Sequence, residues 1–224
     1  EGTLLEYGIK YKEVPLKNGE IDTREVINNI SEKTKLLLIQ RSTGYSHRKA
    51  ITIDEMEIAI KKIREIHRDI IIMVDNCYGE FVEKQEPLDI GADIIAGSLI
   101  KNPGGGLALS GGYIVGKEKL VNRVANRSTA PGLGKDCGLT FGTTRTTLQG
   151  LFLAPHIVSE AMKGAILIGS VYKKLGFEVL PDIDDNRSDI IQAIKFNSPE
   201  KIIAFCKGIQ KASAVDAHVV PIPW

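Results

Sequence analysis

Little in this sequence points to a metal, a disulfide framework or a charged partner. It has three cysteines, Cys77, Cys137 and Cys206, widely spaced and without a Cys-x-x-Cys pair. That usage argues against a thiolate zinc site and a stapled secreted scaffold, and it predicts a reducing, cytoplasmic home. The four histidines, His47, His67, His156 and His218, are scattered, so no metal site is expected. The 29 basic and 28 acidic side chains leave a net charge of +1, which gives no reason to expect a nucleic-acid or membrane surface. No apolar run approaches a bilayer span, no signal-like stretch opens the chain, and internal repeats and low-complexity segments are missing.

What is present is ordinary in bulk and specific in detail. With 224 residues, 43% hydrophobic and 25% charged, the chain can bury a sizeable core in one large domain or one and a half. Leu4 to Gly8 reads as a helix end closed by glycine, and Ile9 to Leu16 as a strand. Asp22 with Glu25, and Thr52 with Glu55, have the spacing of capping boxes that open helices to about Ile30 and His67. Between and after them, Lys35–Gln40, Ile70–Val74 and Asp93–Gly97 read as strands. Strands alternating with helices in this way predict an α/β fold: a mainly parallel sheet with helices on both faces. Gly111 to Gly116 reads as a strand that turns back, and Lys117 to Asn126 as a helix. A long helical stretch from Leu139 to Leu175 follows, expected to be bent or broken at its glycines and Pro155. The division expected is 1–138 for a large domain, 139–175 for a linking helical region, and 176–224 for part of a small α+β domain. In that last part, 177–180 and 190–196 read as strands and a helix runs to Lys211. The first and last residues fall inside elements, so both ends read as cut, and the large domain as incomplete.

The chain is organised around Ile70 to Gly116. Two short apolar runs there each end in polar residues. One reaches Asp75, and the other runs into Ser98 and Lys101, ahead of Asn-Pro-Gly-Gly-Gly. Buried parallel strands have this pattern, and ligands bind just past the carboxyl ends of such strands. Asp75 and Lys101 are therefore expected to be close in space. Pyridoxal 5'-phosphate needs such a pair: a lysine amine to hold its aldehyde as a Schiff base, and a carboxylate to keep its ring nitrogen protonated. Ser98 suits the phosphate, Tyr78 the ring hydroxyl, and Gln40 the ring from the neighbouring strand end.

Val74-Asp75-Asn76-Cys77-Tyr78-Gly79-Glu80-Phe81 and Gly97-Ser98-Leu99-Ile100-Lys101-Asn102-Pro103-Gly104-Gly105-Gly106-Leu107-Ala108 resemble the signature of the methionine gamma-lyase-like family, also called aluminium resistance proteins or cystathionine beta-lyases. The likeness extends through Ile39-Gln40-Arg41-Ser42, Thr129-Ala130-Pro131-Gly132, Leu153-Ala154-Pro155-His156 and Ile203-Ala204-Phe205-Cys206. It implies a fold-type I, aminotransferase-like enzyme that uses pyridoxal phosphate to cleave a carbon–sulfur bond in an amino acid, with Lys101 as the catalytic amine. It also implies a homodimer or homotetramer, and missing segments that would hold most of the phosphate site. An aminotransferase on the same scaffold, or an inert fragment, stays open as an alternative.

An amino-acid substrate needs an arginine for its carboxylate. Arg41 at the end of its strand and Arg187 in a small-domain loop are the main candidates, with Arg48 and Arg145 behind them. Gly104-Gly105-Gly106 lacks the Gly-Lys-Ser/Thr ending of a P-loop, and Gly132-x-Gly134 lacks the dinucleotide spacing. Both read as loops.

Overall fold

A computed structural model describes residues 3–130, 132–136, 138 and 140–222. Cys137 and Leu139, which belong to the expected loop and helical region, lie outside the described residues. The chain divides into two compact units: Glu1–Lys163 with Asn186–Ile191, and Gly164–Asp185 with Gln192–Trp224.

The first unit is built on a four-stranded sheet in the order β1 (Leu36–Gln40), β2 (Ile71–Asp75), β3 (Ile94–Ser98), β4 (Gly112–Gly116). The first three strands are parallel and β4 runs back against β3. The alternation of side chains decides what is buried. Ile39, Ile72, Val74 and Ile95 point to one face, where they meet Val26 of α1 (Thr23–Asn29) and Met56, Ile60 and Ile63 of α2 (Ile53–Ile66). Both helices start as their capping spacing requires: Asp22 Oδ1 accepts from Glu25 N at 3.0 Å, and Thr52 Oγ1 from Glu55 N at 3.2 Å.

α1 and α2 share one face. On the other, Ile94 of β3 is buried, while Leu36 (45% exposed) and Leu38 (50%) of β1 stay open, since the β2-to-β3 connection contains no helix. The strand expected at Ile9–Leu16 does not form; those residues carry no regular secondary structure. Leu4–Tyr7 forms one 3₁₀ turn closed by Gly8 at φ 72°.

α3 (Glu118–Ser128) packs on β4. The expected break near Pro155 does not occur, because α4 (Thr144–Lys174) runs for 31 residues with Pro155 inside it. By length and composition α4 is also apolar enough to cross a membrane, which the residue-by-residue reading did not anticipate.

The second unit holds the remainder of α4, the antiparallel pair β5 (Glu178–Leu180) and β6 (Ala193–Lys195), and α5 (Pro199–Lys211). Tyr172, Phe177, Phe196 and Phe205 form its aromatic cluster, with centroids 5.1–5.8 Å apart. No strand forms at residues 219–222.

Candidate active site

Strand register sets the site. Gln40 pairs with Asp75, and Asp75 with Ala96, so β1 and β2 end level with one another and β3 runs two residues further, to Ser98. Chain leaving these ends carries the polar residues. After β2 it turns sharply through residues 76–82, with Gly79 N donating to Asn76 O. Asp75 Oδ1 accepts from Cys77 N at 3.1 Å, which fixes the first step of that turn. After β3, the Lys101 N–H reaches back to Ser98 O, and Lys101 becomes the residue before a 3₁₀ turn at Asn102–Gly104.

The turn is held by close backbone packing. A Cβ on Gly104 would lie 1.7 Å from Leu99 O, one on Gly105 2.3 Å from Gly150 O, and one on Gly150 2.0 Å from Gly104 O. Glycine at 104, 105 and 150 thus lets α4 lie directly against the lysine loop. This accounts for the Pro-Gly-Gly segment without a phosphate.

The Lys101 ammonium sits 4.3 Å above the centroid of the Tyr78 ring, an attractive cation–π arrangement. Tyr78 achieves this at φ 68°, a left-handed backbone that bulky residues seldom adopt. The Cys77 thiol is coupled electrostatically to both the Asp75 and Lys101 side chains. Partial burial pulls the Lys101 amine down, but Cys77, Tyr78 and Asp75 outweigh it, and the amine stands above its ordinary value. Burial first, then Asp75, pushes the Cys77 thiol up, with Lys101 opposing. Asp75, Cys77, Tyr78 and Lys101 therefore form one electrostatic cluster. Cys77 is a member that reasoning from sequence did not single out; its position two residues past the strand-ending acid was the available signal.

Other candidates fall elsewhere. Ser98 Oγ accepts from Ile100 N at 3.3 Å, at the end of β3. Gln40 Nε2 reaches Ser42 O at 3.4 Å. Arg41 is corrected: it is completely buried, and Nε donates to Ser188 Oγ (3.0 Å), Nη1 to Asn76 Oδ1 (2.8 Å) and Glu86 Oε2 (3.4 Å), and Nη2 to Glu83 Oε2 (2.7 Å). A guanidinium so engaged has no face left for a substrate carboxylate. Gly79 exists for this arginine, since a Cβ there would meet Arg41 Cδ at 2.6 Å.

Arg187 lies in the first unit, not in a small-domain loop. It directly precedes two buried anchors: Ser188, which donates to Ile51 O at 2.8 Å, and Asp189, which accepts from Ser42 Oγ at 2.8 Å. Its Nη1 reaches Ile191 O at 3.3 Å. Arg48 closes the end of β1 by donating to Gln40 O and Ser42 O, and Arg145 is exposed on α4. Among the described residues, no group of three or more His, Cys, Asp or Glu side chains is arranged to hold a metal ion.

The family model for methionine gamma-lyase matches residues 1–224. The chain belongs to that family. Among its relatives is YnbB of Bacillus subtilis, 48% identical over 99% of this chain and 53% of YnbB. A solved Clostridium acetobutylicum structure, provisionally named a cystathionine beta-lyase involved in aluminium resistance, superposes with a TM-score of 0.97 at 54% identity. The match covers 100% of this chain and 54% of that one. A Clostridium novyi structure named a carbon-sulfur lyase involved in aluminium resistance gives 0.95 at 49% identity, over 100% of this chain and 53% of that one. The chain thus spans about half the length of these relatives. The family's fold is mixed α/β with a mostly parallel sheet, as seen here. It extends to remote structures such as a NifS-like protein, with a TM-score of 0.65 at 15% identity.

Proposed function

We propose that this chain carries the lysine-bearing part of a pyridoxal phosphate-dependent carbon–sulfur lyase acting on a sulfur-containing amino acid. The observation that carries the reading is Lys101 just past β3 with its ammonium 4.3 Å from the ring centroid of Tyr78, which stands three residues beyond the β2-ending Asp75. The lyase names of relatives near 50% identity support it.

The donor set suits the cofactor. Lys101 would hold its aldehyde, Asp75 its ring nitrogen, Ser98 its phosphate, Gln40 its ring and Tyr78 its ring hydroxyl. Once bound, the group serves as the electron sink that makes an amino acid's α proton removable. The chain's own residues do the rest. Without the cofactor the Lys101 amine stands above its ordinary value, so Nζ must release a proton before it can take up the aldehyde. The Asp75 carboxylate and the Tyr78 ring face stabilise the cationic form and so set how readily that proton leaves. The Cys77 N bond to Asp75 Oδ1 and the close packing of Gly104 and Gly105 against Gly150 hold the two turns that carry these side chains. Arg187 is the remaining arginine for the substrate carboxylate, held by Ser188 and Asp189. The free thiols of Cys77 and Cys206 fit a cytoplasmic setting. The assembly we propose is a homodimer or homotetramer, which sedimentation as a monomer would refute.

The test is spectroscopic and then chemical. With added cofactor, a visible absorption band is expected, and borohydride should fix a covalent adduct on Lys101. Lys101→Ala should abolish both, and a surviving band would place the cofactor on another lysine. Release of thiol plus ammonia supports the lyase reading. Amino transfer to a keto acid would establish the rival, and no band at all would leave an inert chain.

A further inference from the structure

Beneath the lysine loop lies a carboxyl group that the proposed chemistry does not use. Glu80 is 4% exposed. Its Oε1 accepts from the Tyr113 hydroxyl on β4 at 2.6 Å, and its backbone carbonyl accepts from Asn102 Nδ2 at 3.0 Å. Asn102 is the residue after Lys101. The Glu80 and Tyr113 side chains meet across Gly97 of β3, where a Cβ would lie 2.4 Å from Glu80 Oε1 and 2.5 Å from Tyr113 Cε1. Gly97 in turn begins the segment that leads through Ser98 to Lys101. One residue therefore joins elements that frame the amine: it lies in the turn after β2 that carries Tyr78, its side chain reaches over β3 to Tyr113 on β4, and its backbone carbonyl holds Asn102.

The second oxygen shows the state of the group. Glu80 Oε2 is fully buried and has no hydrogen-bond partner among the described residues, and the same is true of Asn102 Oδ1. An anionic carboxylate with one bare, buried oxygen costs more than the neutral acid, whose hydroxyl lacks one hydrogen bond but carries no charge. The charged and titratable groups facing Glu80 do not reverse this. Tyr113 on β4 donates to it, Glu86 in the loop after β2 repels its charge, and Arg41 past β1 is already engaged by Glu83 and Glu86. Burial above all holds the carboxyl up at about 7, near the working pH.

We propose that Glu80 is a positioning residue for Lys101. In its protonated form the carboxyl stays buried over Gly97 against Tyr113 and keeps the β2 turn, whose Glu80 carbonyl holds Asn102, seated on β3; loss of that proton draws the charged group toward water and loosens the loop that presents the amine. The proposal gives the site a pH dependence that belongs neither to Lys101 nor to the cofactor. It rests on the reading of Lys101 as the working amine only for its consequence in catalysis.

The experiment is amide hydrogen exchange of the 97–104 segment at pH 6 and pH 8, corrected for intrinsic rates, in the wild-type chain, Glu80→Gln and Tyr113→Phe. Glu80→Gln keeps the acceptor for Tyr113 but cannot titrate. Around a pKa of about 7, the charged fraction of Glu80 rises from about a tenth to about nine-tenths over this range. Wild-type protection should therefore fall several-fold from pH 6 to pH 8, while Glu80→Gln shows no such fall and Tyr113→Phe is poorly protected at both. Labelling of the Lys101 amine by an acylating reagent, taken as the wild-type to Glu80→Gln ratio, should change over the same range. An equal fall in wild type and Glu80→Gln, or no fall in either, overturns the proposal. Absence of a borohydride adduct on Lys101 would defeat the cofactor reading and leave these exchange results standing.

Discussion

Replacing Arg41 separates a structural arginine from a substrate clamp. Arg41 has no exposed side-chain surface, and its two carboxylate partners, Glu83 and Glu86, are 25% and 31% exposed. Methionine of similar length would fill the space but break a charged bond at 2.7 Å, a longer one at 3.4 Å, and two neutral bonds to Asn76 and Ser188. Removing one partner of a buried ion pair costs about 3–5 kcal/mol. Partial exposure lets Glu83 and Glu86 regain some hydration, so the lower part of that range, about 3 kcal/mol, is expected for Arg41→Met. Arg41→Lys keeps one charge without the fork, and about half that loss is expected. The assay is urea unfolding at pH 7. In the double variant Arg41→Met with Glu83→Gln, the loss should be smaller than the sum of the two single losses, because the uncompensated charge goes with the arginine. A clamp for substrate would behave differently, with stability within about 0.5 kcal/mol of wild type, as for a surface site, and a raised KM. If Arg41→Met is as stable as wild type, the buried network described here is wrong.

Other expectations follow from the same geometry. Gly150→Ala places a methyl 2.0 Å from Gly104 O, so a loss of about 1–3 kcal/mol is expected in unfolding, with weaker borohydride trapping at Lys101 as the loop is pushed off α4. Tyr78→Asn suits φ 68° better than tyrosine does. The variant should be at least as stable as wild type by thermal melt, yet its Lys101 amine should titrate lower, read from the pH profile of acylation. The pKa of Glu80 is raised by folding from 4.5 to about 7, so its contribution to stability is complete below about pH 4.5 and is lost as pH rises through about 7. The shift corresponds to about 3 kcal/mol. Unfolding midpoints of wild type should therefore fall relative to those of Glu80→Gln between pH 5 and pH 8, and parallel curves would show that the carboxyl is already charged at pH 5.

The sheet and its helices were legible because their signals are local. Asp22 and Thr52 stand three residues before a glutamate, and the apolar runs at 36–39 and 71–74 are too short for helices and bounded by polar residues. What failed were judgements that depend on distant chain. Ile9–Leu16 has strand-forming residues but no neighbour to supply a ladder. Of the bend or break expected at Pro155, no break occurs, and α4 runs through it from Thr144 to Lys174. Arg187 was assigned to the small domain by position in sequence. Two buried residues beside it, Ser188 and Asp189, carry it back to the first unit through bonds to partners some 137–147 residues away.

The site divides in the same way. Asp75 and Lys101 were readable because each follows a strand, and strand ends converge by construction. Arg41 satisfied that same rule and was misjudged, since the rule places a residue at an edge without saying whether its side chain turns out to the ligand or back into the protein. Burial decides that, and the evidence for it was present in sequence only indirectly: Gly79, and the acids at 83 and 86, make sense once an arginine must be enclosed. Glu80 was harder still. Its partner, Tyr113, is 33 residues away on an antiparallel strand, and the gap between them is Gly97. A glycine in a strand reads as weakness or as a bulge. Here it is the space through which two side chains meet, so one absent methyl links the carboxyl to the lysine loop. Gly97→Ala should then reproduce the exchange behaviour of Tyr113→Phe, with loss of protection at both pH values. Retention of wild-type protection in Gly97→Ala would mean that contact across β3 is not what holds Lys101.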